Sequence, residues 1–388
     1  MSVYTLPNPS LYSLQLANTS RSSVASRSRI GKVGDSGPLR LLCLDGGGVR
    51  GLSSLFLLKE VLHRVAKSGK FTGDGSGKIL PCEYFDMICG TSTGGLIAIM
   101  LGKLRMTVDE AIDKYLELSK HIFSKKKWIW KEGRYCARNL EWAIQDIVAE
   151  RAMVLKLPGY QNHVTKPRDR GKAIMMRGEK PDPKMCKVFV CAVNTLDTLA
   201  EVNVRTYEVE KNQREDFAIW EAARATSAAP YFFKPLVVSS GGDRKIGGTY
   251  IDGGVGSNNP IRRLLNESRW EFPGRKPSLV LSLGTGIKDI TQLPRARGIA
   301  KILQLLSLLR VLGGIALDCE RIHQEVYQEF KSEKIYFRLN VDRGMHQIGL
   351  DEWNRKDAIH QCTKSYIQRP EVSSHIDQIV ASFIGESN

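Results

Sequence analysis

The sequence predicts an α/β fold with a largely parallel β-sheet that is covered by helices on both faces. Leu39–Leu44 and Ser278–Leu283 are short, predominantly apolar runs of the length expected for buried strands. Both runs are followed by glycine-containing turns, and segments with helical apolar spacing alternate with such runs along the chain. This alternation of buried strands and helices is typical of α/β domains.

Residues 39–388 are predicted to form a single domain, preceded by a leader of residues 1–38. The leader is rich in serine, contains no acidic residue before Asp35 and lacks clear periodicity, which is typical of a disordered segment. An acid-poor leader with several arginines also fits a mitochondrial transit peptide, although Pro7 and Pro9 disfavour that alternative.

Residues 156–185 are the least regular part of the interior. They contain several prolines and glycines and many more bases than acids. This composition predicts a long surface loop or lid.

The net charge of +16 predicts an anionic partner. A membrane surface rich in acidic lipid is favoured over nucleic acid, because the sequence has no zinc-finger spacing, no RNP-type aromatic motif and no groove-binding basic helix. The run Lys125–Lys127, followed by Trp128 and Trp130, is the candidate docking segment, since aromatic rings favour the bilayer interface and lysines face acidic headgroups. A basic surface without a dedicated partner is the alternative.

No run of about 18 uninterrupted apolar residues occurs, so no transmembrane helix is predicted. The nearest segment, Ile302–Leu317, contains Gln304 and Arg310 and is expected to lie in the protein core or at a bilayer interface. The N-terminus has no apolar signal-peptide core, and the 8 cysteines form no C-x-x-C pair. We therefore expect a cytoplasmic protein that associates peripherally with membranes and uses no metal or cofactor.

The central motif is Gly90–Gly94, a G-x-S-x-G sequence between an apolar strand and an apolar helix. Glycine at both flanks allows a sharp strand-to-helix turn, which projects the hydroxyl of Ser92 from the chain as a nucleophile. The N-terminus of the following helix favours the oxyanion that acyl transfer to serine generates. A serine that merely caps the helix is the alternative.

A second glycine turn, Gly46–Gly51, follows the first strand and contains Arg50. Its amides can line an anion-binding nest near Ser92. The spacing Gly46-x-Gly48-x-x-Gly51 also fits a dinucleotide fingerprint, which keeps an oxidoreductase as an alternative. Asp45 would then face a pyrophosphate with like charge, and no second strand ends in an acid about 20 residues further on.

A nucleophilic serine needs a base. Asp252 follows an apolar strand in another glycine turn, and its carboxylate can accept the serine proton directly, which would make a dyad. A histidine-dependent triad is the mechanistic alternative. The usual order of serine, acid and histidine would nominate His323, His346, His360 or His375.

Three segments together resemble the signatures of patatin-like phospholipases, in order: Asp45–Gly51, Gly90–Gly94 and Asp252–Gly254. Ala225–Pro230, Asn258–Pro260 and Ser282–Gly286 are similar to the secondary motifs of this family. The resemblance covers about residues 39–286. It implies a three-layer α/β/α lipid acyl hydrolase that works by a Ser–Asp dyad without histidine or metal.

Carried over to this sequence, the resemblance makes Ser92 the nucleophile and Asp252 the base. Gly47 and Gly48 supply the oxyanion-hole amides, and Arg50 orients their loop. The remaining motif glycines support this machinery: Gly46 and Gly51 in the oxyanion loop, and Gly90 and Gly94 in the nucleophile elbow.

The predicted function is hydrolysis of fatty-acyl esters of membrane lipids, of phospholipase A type and independent of calcium. A transacylase that uses the same dyad and a catalytically silent lipid-binding module are the alternatives.

Overall fold

The computed structural model describes residues 32–34, 37–70, 79–125, 133–157, 159–160, 166–178, 185–209, 216–239, 247–287 and 318–386. Within these ranges the chain forms one eight-stranded sheet. Its strands are β1 Leu39–Leu44, β2 Met87–Thr91, β3 Lys187–Asn194, β4 Asp197–Arg205, β5 Leu236–Ser239, β6 Gly247–Asp252, β7 Pro277–Leu283 and β8 Tyr336–Leu339.

Five strands are parallel and lie in the order β3-β2-β1-β7-β8. β4 and β6 both pair antiparallel with β3, and β5 pairs antiparallel with β6. The prediction of an α/β fold with a largely parallel sheet is confirmed. The direction of β4, β5 and β6 was not predicted, because apolar patterning carries no information on strand direction.

The described helices are α1 Gly51–Lys67, α2 Thr93–Ala98, α3 Val108–Phe123, α4 Ala137–Leu155, α5 Pro167–Lys172, α6 Ile219–Thr226, α7 Ile261–Glu271, α8 Lys356–Ile367 and α9 Pro370–Phe383. Residues 318–329 are also helical. α2 continues as a π-helical turn, Ile99–Lys103. α3 begins with a capping box, in which the Glu110 amide donates to Thr107 Oγ1 and the Thr107 amide donates to the Glu110 carboxylate.

Side chains of β1 alternate between two apolar layers. Leu42 and Leu44 pack in the larger cluster, with α1, α3, α8 and α9. Leu41 and Cys43 point to the other face, where α7 and the helical residues 318–329 cover the sheet. The sheet is therefore buried on both faces, which explains why its central strands are predominantly apolar.

The prediction of a long surface loop over residues 156–185 holds only in part for the residues that the structure describes: most are exposed or half-buried, but they include a helix and three buried positions. Pro167 opens α5, a position where proline is tolerated because its missing amide has no helical partner. Gly171 lies against the Gln145 carbonyl of α4, and Ile174 and Met176 are buried in the core. Proline at the start of a helix was misinterpreted as a loop signal.

Most of the leader, the cluster Lys126–Trp130 and Ile302–Leu317 lie outside the described residues. In the part of the chain that is described, no helix is long and apolar enough to cross a membrane.

Candidate active site

Ser92 lies in the turn between β2 and α2. Its φ of 55° is unusual for a residue with a side chain, and such strain is typical of functional sites. A Cβ on Gly90 would clash with the Gly94 carbonyl, and a Cβ on Gly94 would clash with the Leu44 and Asp45 carbonyls, so this turn can pack beside β1 only because both positions are glycine.

Thr226 holds this turn in place. The Ser92 amide donates to Thr226 Oγ1 at 2.9 Å, and the Thr226 hydroxyl donates to the Cys191 carbonyl at 2.7 Å. Cys191 belongs to β3 and Thr226 ends α6, so two neighbouring elements position the backbone of Ser92. The sequence analysis assigned no role to Thr226, although it placed the residue in the segment Ala225–Pro230.

The register of β3 brings Asp252 to Ser92. Cys191 pairs with Thr91, the last residue of β2, and Ala192 pairs with Asp252, the last residue of β6. Consecutive residues of one strand thus align the two strand ends that carry Ser92 and Asp252. The Asp252 carboxylate accepts the Gly254 amide at 2.7 Å and makes a hydrogen-bonding interaction with the Ser92 hydroxyl.

Burial dominates the electrostatics of Asp252. The side chain is 3% exposed, and burial raises the pKa of its carboxyl to about 7. The interactions with the Ser92 hydroxyl and the Gly254 amide favour the ionised form and offset part of this rise in pKa. A carboxyl with this pKa can both accept and return a proton near neutral pH.

The glycine loop after β1 lies beside Ser92. The Gly46 carbonyl accepts hydrogen bonds from Thr285 Oγ1 at 2.9 Å and from Asn258 Nδ2 at 3.2 Å. Gly48 has a φ of 57°, and a Cβ there would clash with the Leu350 carbonyl. The Gly47 amide donates to Thr93 Oγ1 at 3.1 Å, so one of the two predicted oxyanion donors is engaged inside the protein.

Arg50 ends this loop. Its backbone amide donates to the Gly47 carbonyl at 3.2 Å, which is its direct contact with the loop. The side chain is buried, and burial lowers the pKa of its guanidinium to about 10. Its Nε has no hydrogen-bond partner within the described structure.

An apolar pocket opens beside these groups. Gly48, Ser92 and Thr93 line it, and it encloses about 570 Å³ of empty space, part of which is open to solvent. Most of its remaining lining is apolar and comes from α2, α3, α4 and the segment after α6: Leu96, Leu118, Ile122, Phe123, Leu140, Phe232 and Phe233. Such a lining suits a hydrocarbon chain.

None of the four histidines nominated for a triad lines this pocket. His323 Nδ1 is hydrogen-bonded to the Tyr336 hydroxyl, and burial lowers the pKa of its imidazole to about 4. His360 packs on Phe56, and His375 packs on Phe337.

Two further pocket residues were missed by the sequence analysis. Tyr115 of α3 donates a short hydrogen bond to the Gly48 carbonyl, and the Leu350 carbonyl accepts the Val49 amide at 2.9 Å. Neither residue belongs to a motif that the sequence analysis singled out, and both lie far from the loop in sequence.

Comparison with known proteins shows the family to which this chain belongs. The model of the family described as patatin-like phospholipase matches residues 42–265, more than half of the chain. The chain belongs to the patatin-like phospholipase family. The match extends from β1 into α7 and includes the turns that carry Ser92 and Asp252.

Several curated family members are similar to this chain. Calcium-independent phospholipase A2-gamma of Mus musculus is 26% identical over 78% of this chain and 35% of its own length. Patatin-like protein 2 of Arabidopsis thaliana is 29% identical over 78% of this chain and 75% of its own length. Probable inactive patatin-like protein 9 of the same plant is 27% identical over 66% of this chain and 62% of its own length.

The chain spans about a third of the length of the phospholipase A2-gamma relatives that it matches. Among solved structures, VipD from Legionella pneumophila aligns over 91% of this chain and 73% of its own, with a TM-score of 0.34 and 13% identity.

Proposed function

We propose that this protein is a serine-dependent lipid acyl hydrolase of phospholipase A type. The observation that carries the proposal is the meeting of the strained Ser92 with the buried carboxylate of Asp252 beside an apolar pocket, without a cationic partner for that carboxylate among the described residues. Membership of a phospholipase family and the names of relatives support a lipid ester as the substrate class.

In the proposed acylation step, Asp252 accepts the hydroxyl proton as Ser92 Oγ attacks the ester carbonyl carbon. The carbonyl oxygen becomes an oxyanion, which the Gly48 amide stabilises, while the Gly47 amide stays bound to Thr93 Oγ1. The tetrahedral intermediate then expels the alcohol part of the lipid, and Asp252 returns the proton to that oxygen.

Deacylation repeats this sequence with water. Asp252 accepts a proton from a water molecule as its oxygen attacks the acyl-serine carbonyl. Collapse of the second intermediate releases the fatty acid, and Ser92 regains its proton from Asp252. Every group in the cycle is a side chain or amide of this chain, so we expect hydrolysis to be independent of calcium and unaffected by chelators.

Replacement of the nucleophile tests this proposal. Ser92→Ala should lower kcat by at least about a thousandfold, because nucleophile removal has effects of that order in serine hydrolases. Ser268→Ala, which removes a buried hydroxyl from α7, should hydrolyse as wild type does. Release of fatty acid from mixed phospholipid vesicles, with and without chelator, is the measurement. Full activity of folded Ser92→Ala would exclude Ser92 as the nucleophile.

A catalytically silent lipid-binding module is the second candidate, and the similarity to the probable inactive patatin-like protein 9 favours considering it. A fluorophosphonate probe separates the two candidates, since it labels only an activated serine. Labelling of wild type but not of Ser92→Ala supports the hydrolase. Absence of labelling in folded wild type supports the silent module. Product analysis with a competing alcohol then separates hydrolysis from transacylation.

We also propose a peripheral association with anionic membrane surfaces, in keeping with a lipid substrate. The net charge of +16 supports it.

A further inference from the structure

Two hydroxyls, those of Thr93 and Tyr115, connect the oxyanion loop to the helices that face it. The Gly47 amide donates to Thr93 Oγ1 at 3.1 Å, and the Tyr115 hydroxyl donates to the Gly48 carbonyl. Thr93 is the residue after Ser92 and opens α2, whereas Tyr115 comes from the middle of α3. Both side chains line the same pocket as Ser92.

Proton counting sets the direction of the interactions. A tyrosine hydroxyl has one proton, and Tyr115 gives it to the Gly48 carbonyl. The Thr93 hydroxyl also interacts with Tyr115 and can therefore only donate to its oxygen. The chain runs from the Gly47 amide through Thr93 and Tyr115 to the Gly48 carbonyl. Burial raises the pKa of Tyr115, so it stays a neutral donor.

These contacts act on both sides of one peptide group. The Gly47 carbonyl accepts the Arg50 amide at 3.2 Å, while the Gly47 amide and the Gly48 carbonyl are held by Thr93 and Tyr115. The Gly48 amide belongs to the Gly47–Gly48 peptide group, which lies between the Gly47 amide and the Gly48 carbonyl. Glycine backbones rotate easily, so without such bonds this amide would sample several orientations.

We propose that Thr93 and Tyr115 are positioning residues that hold the Gly47–Gly48 backbone so that the Gly48 amide is ready to stabilise the oxyanion. This inference rests on the proposed hydrolase function. It gives Thr93, the residue after the nucleophile, and Tyr115 of α3 a role in the acyl-transfer step. Electrostatic stabilisation depends on donors that are oriented before the reaction starts.

The close packing around Tyr115 agrees with this role. A Cβ on Gly51 would lie only 2.7 Å from the Tyr115 hydroxyl, so Gly51 leaves room for the hydroxyl beside the loop. Gly51 therefore supports the loop through Tyr115.

Isosteric variants test the inference. Thr93→Val and Tyr115→Phe keep the shape of the pocket and remove one hydroxyl each, whereas Thr93→Ser keeps the hydroxyl. Tyr207→Phe is the matched control, because it removes a tyrosine hydroxyl that donates to Glu267 of α7, away from the pocket. The substrate is a soluble short-chain ester, and kcat, KM and the thermal midpoint are measured for each variant.

We expect Thr93→Val and Tyr115→Phe each to lower kcat at least about tenfold with KM unchanged, because an oriented oxyanion donor acts mainly on the transition state. Thr93→Ser should restore kcat to within about twofold of wild type. The double variant should lose little more than either single variant, since residues of one hydrogen-bonded unit are not additive. Tyr207→Phe should keep wild-type kcat whatever its thermal midpoint.

Wild-type kcat in folded Thr93→Val or Tyr115→Phe would overturn this inference and leave the proposed function intact. A rise in KM at constant kcat would also overturn it, since that pattern assigns the hydroxyls to substrate binding. No ester hydrolysis by wild type would overturn the proposed function and this inference together.

Discussion

Two buried aspartates at strand ends have opposite environments. Asp45 follows β1 and is 3% exposed, as is Asp252, but Arg338 donates to its carboxylate at 2.7 Å. Asp252 has a hydroxyl and an amide as partners, and none of the cationic side chains in the described ranges contributes to its pKa. Burial raises the pKa of both carboxyls, but at Asp45 the Arg338 guanidinium opposes this rise, whereas at Asp252 only a hydroxyl and an amide oppose it. The environment, rather than the residue type, separates the structural from the catalytic candidate.

The raised pKa of Asp252 predicts how the rate depends on pH. The base must be ionised to accept a proton, so kcat/KM should rise as pH increases through about 7 and then level off. Initial rates with a soluble ester between pH 5 and 9 measure this. A rate that is independent of pH between 5 and 8 would contradict a dyad with this base.

The same shift predicts a stability cost. Between the unfolded pKa of about 3.9 and the folded value of about 7, the folded state binds more protons, so stability falls as pH rises across this window. Asp252→Asn lacks the charge and should gain stability relative to wild type over the same window. Urea unfolding at pH 5 and pH 8 measures the gain; an equal difference at both values would contradict it.

At the scale of elements, β8 ties the C-terminal part of the chain to the site. Arg338 of β8 donates to Ser282 Oγ of β7 at 2.9 Å, to Asp45 after β1, and to Glu320 of the helical residues 318–329 at 3.2 Å. Asp45 leads directly into the oxyanion loop. Residues beyond the matched family region thus hold the base of that loop.

Removal of Arg338 should be costly. Arg338→Met leaves the Asp45 carboxylate buried without its cation, which typically costs about 3–5 kcal/mol. The loss should be larger at pH 8 than at pH 5, because protonation of Asp45 relieves it. Urea unfolding at both pH values is the measurement, and Asp45→Asn/Arg338→Met is the control that should recover most of the stability. A loss of less than about 1 kcal/mol at pH 8 would contradict this role for the pair.

At the scale of the whole molecule, charge is distributed over a protein whose proposed substrate lies in a bilayer. The net charge of +16 attracts the chain to anionic surfaces without defining which face docks. The parallel strands define one functional edge of the molecule, because their carboxyl ends carry Ser92 and the oxyanion loop. Docking by that edge would present the pocket to lipid.

Lysine replacement separates directed docking from general attraction. The triple variant in which glutamine replaces Lys125, Lys126 and Lys127 should bind anionic vesicles about a hundredfold more weakly at low salt. Each basic residue near such a surface contributes about 1 kcal/mol to binding. The control variant replaces Lys276, Lys331 and Lys334 with Gln, so its net charge equals that of the first triple variant. These lysines lie at the amino ends of β7 and β8, opposite the carboxyl ends that carry the site. Vesicle co-sedimentation at low and high salt is the measurement. Equal binding of the two triple variants would exclude the cluster as the docking site.

Local chemistry determined much of this protein. Apolar runs predicted the buried strands, and paired glycines predicted the turn at Ser92 and the loop at Gly46–Gly51, because these features depend on neighbours within a few residues. The capping box of Thr107 and Glu110 likewise depends only on residues three positions apart.

Only the tertiary structure decided how the site is assembled. Asp252 meets Ser92 because β6 runs antiparallel to β3. Its last residue pairs with Ala192, the neighbour of the residue that pairs with Thr91. Thr226 and Tyr115 act through contacts that span 134 and 67 residues. The apolar periodicity of the sequence does not predict such contacts, since they depend on strand direction, register and the packing of distant helices.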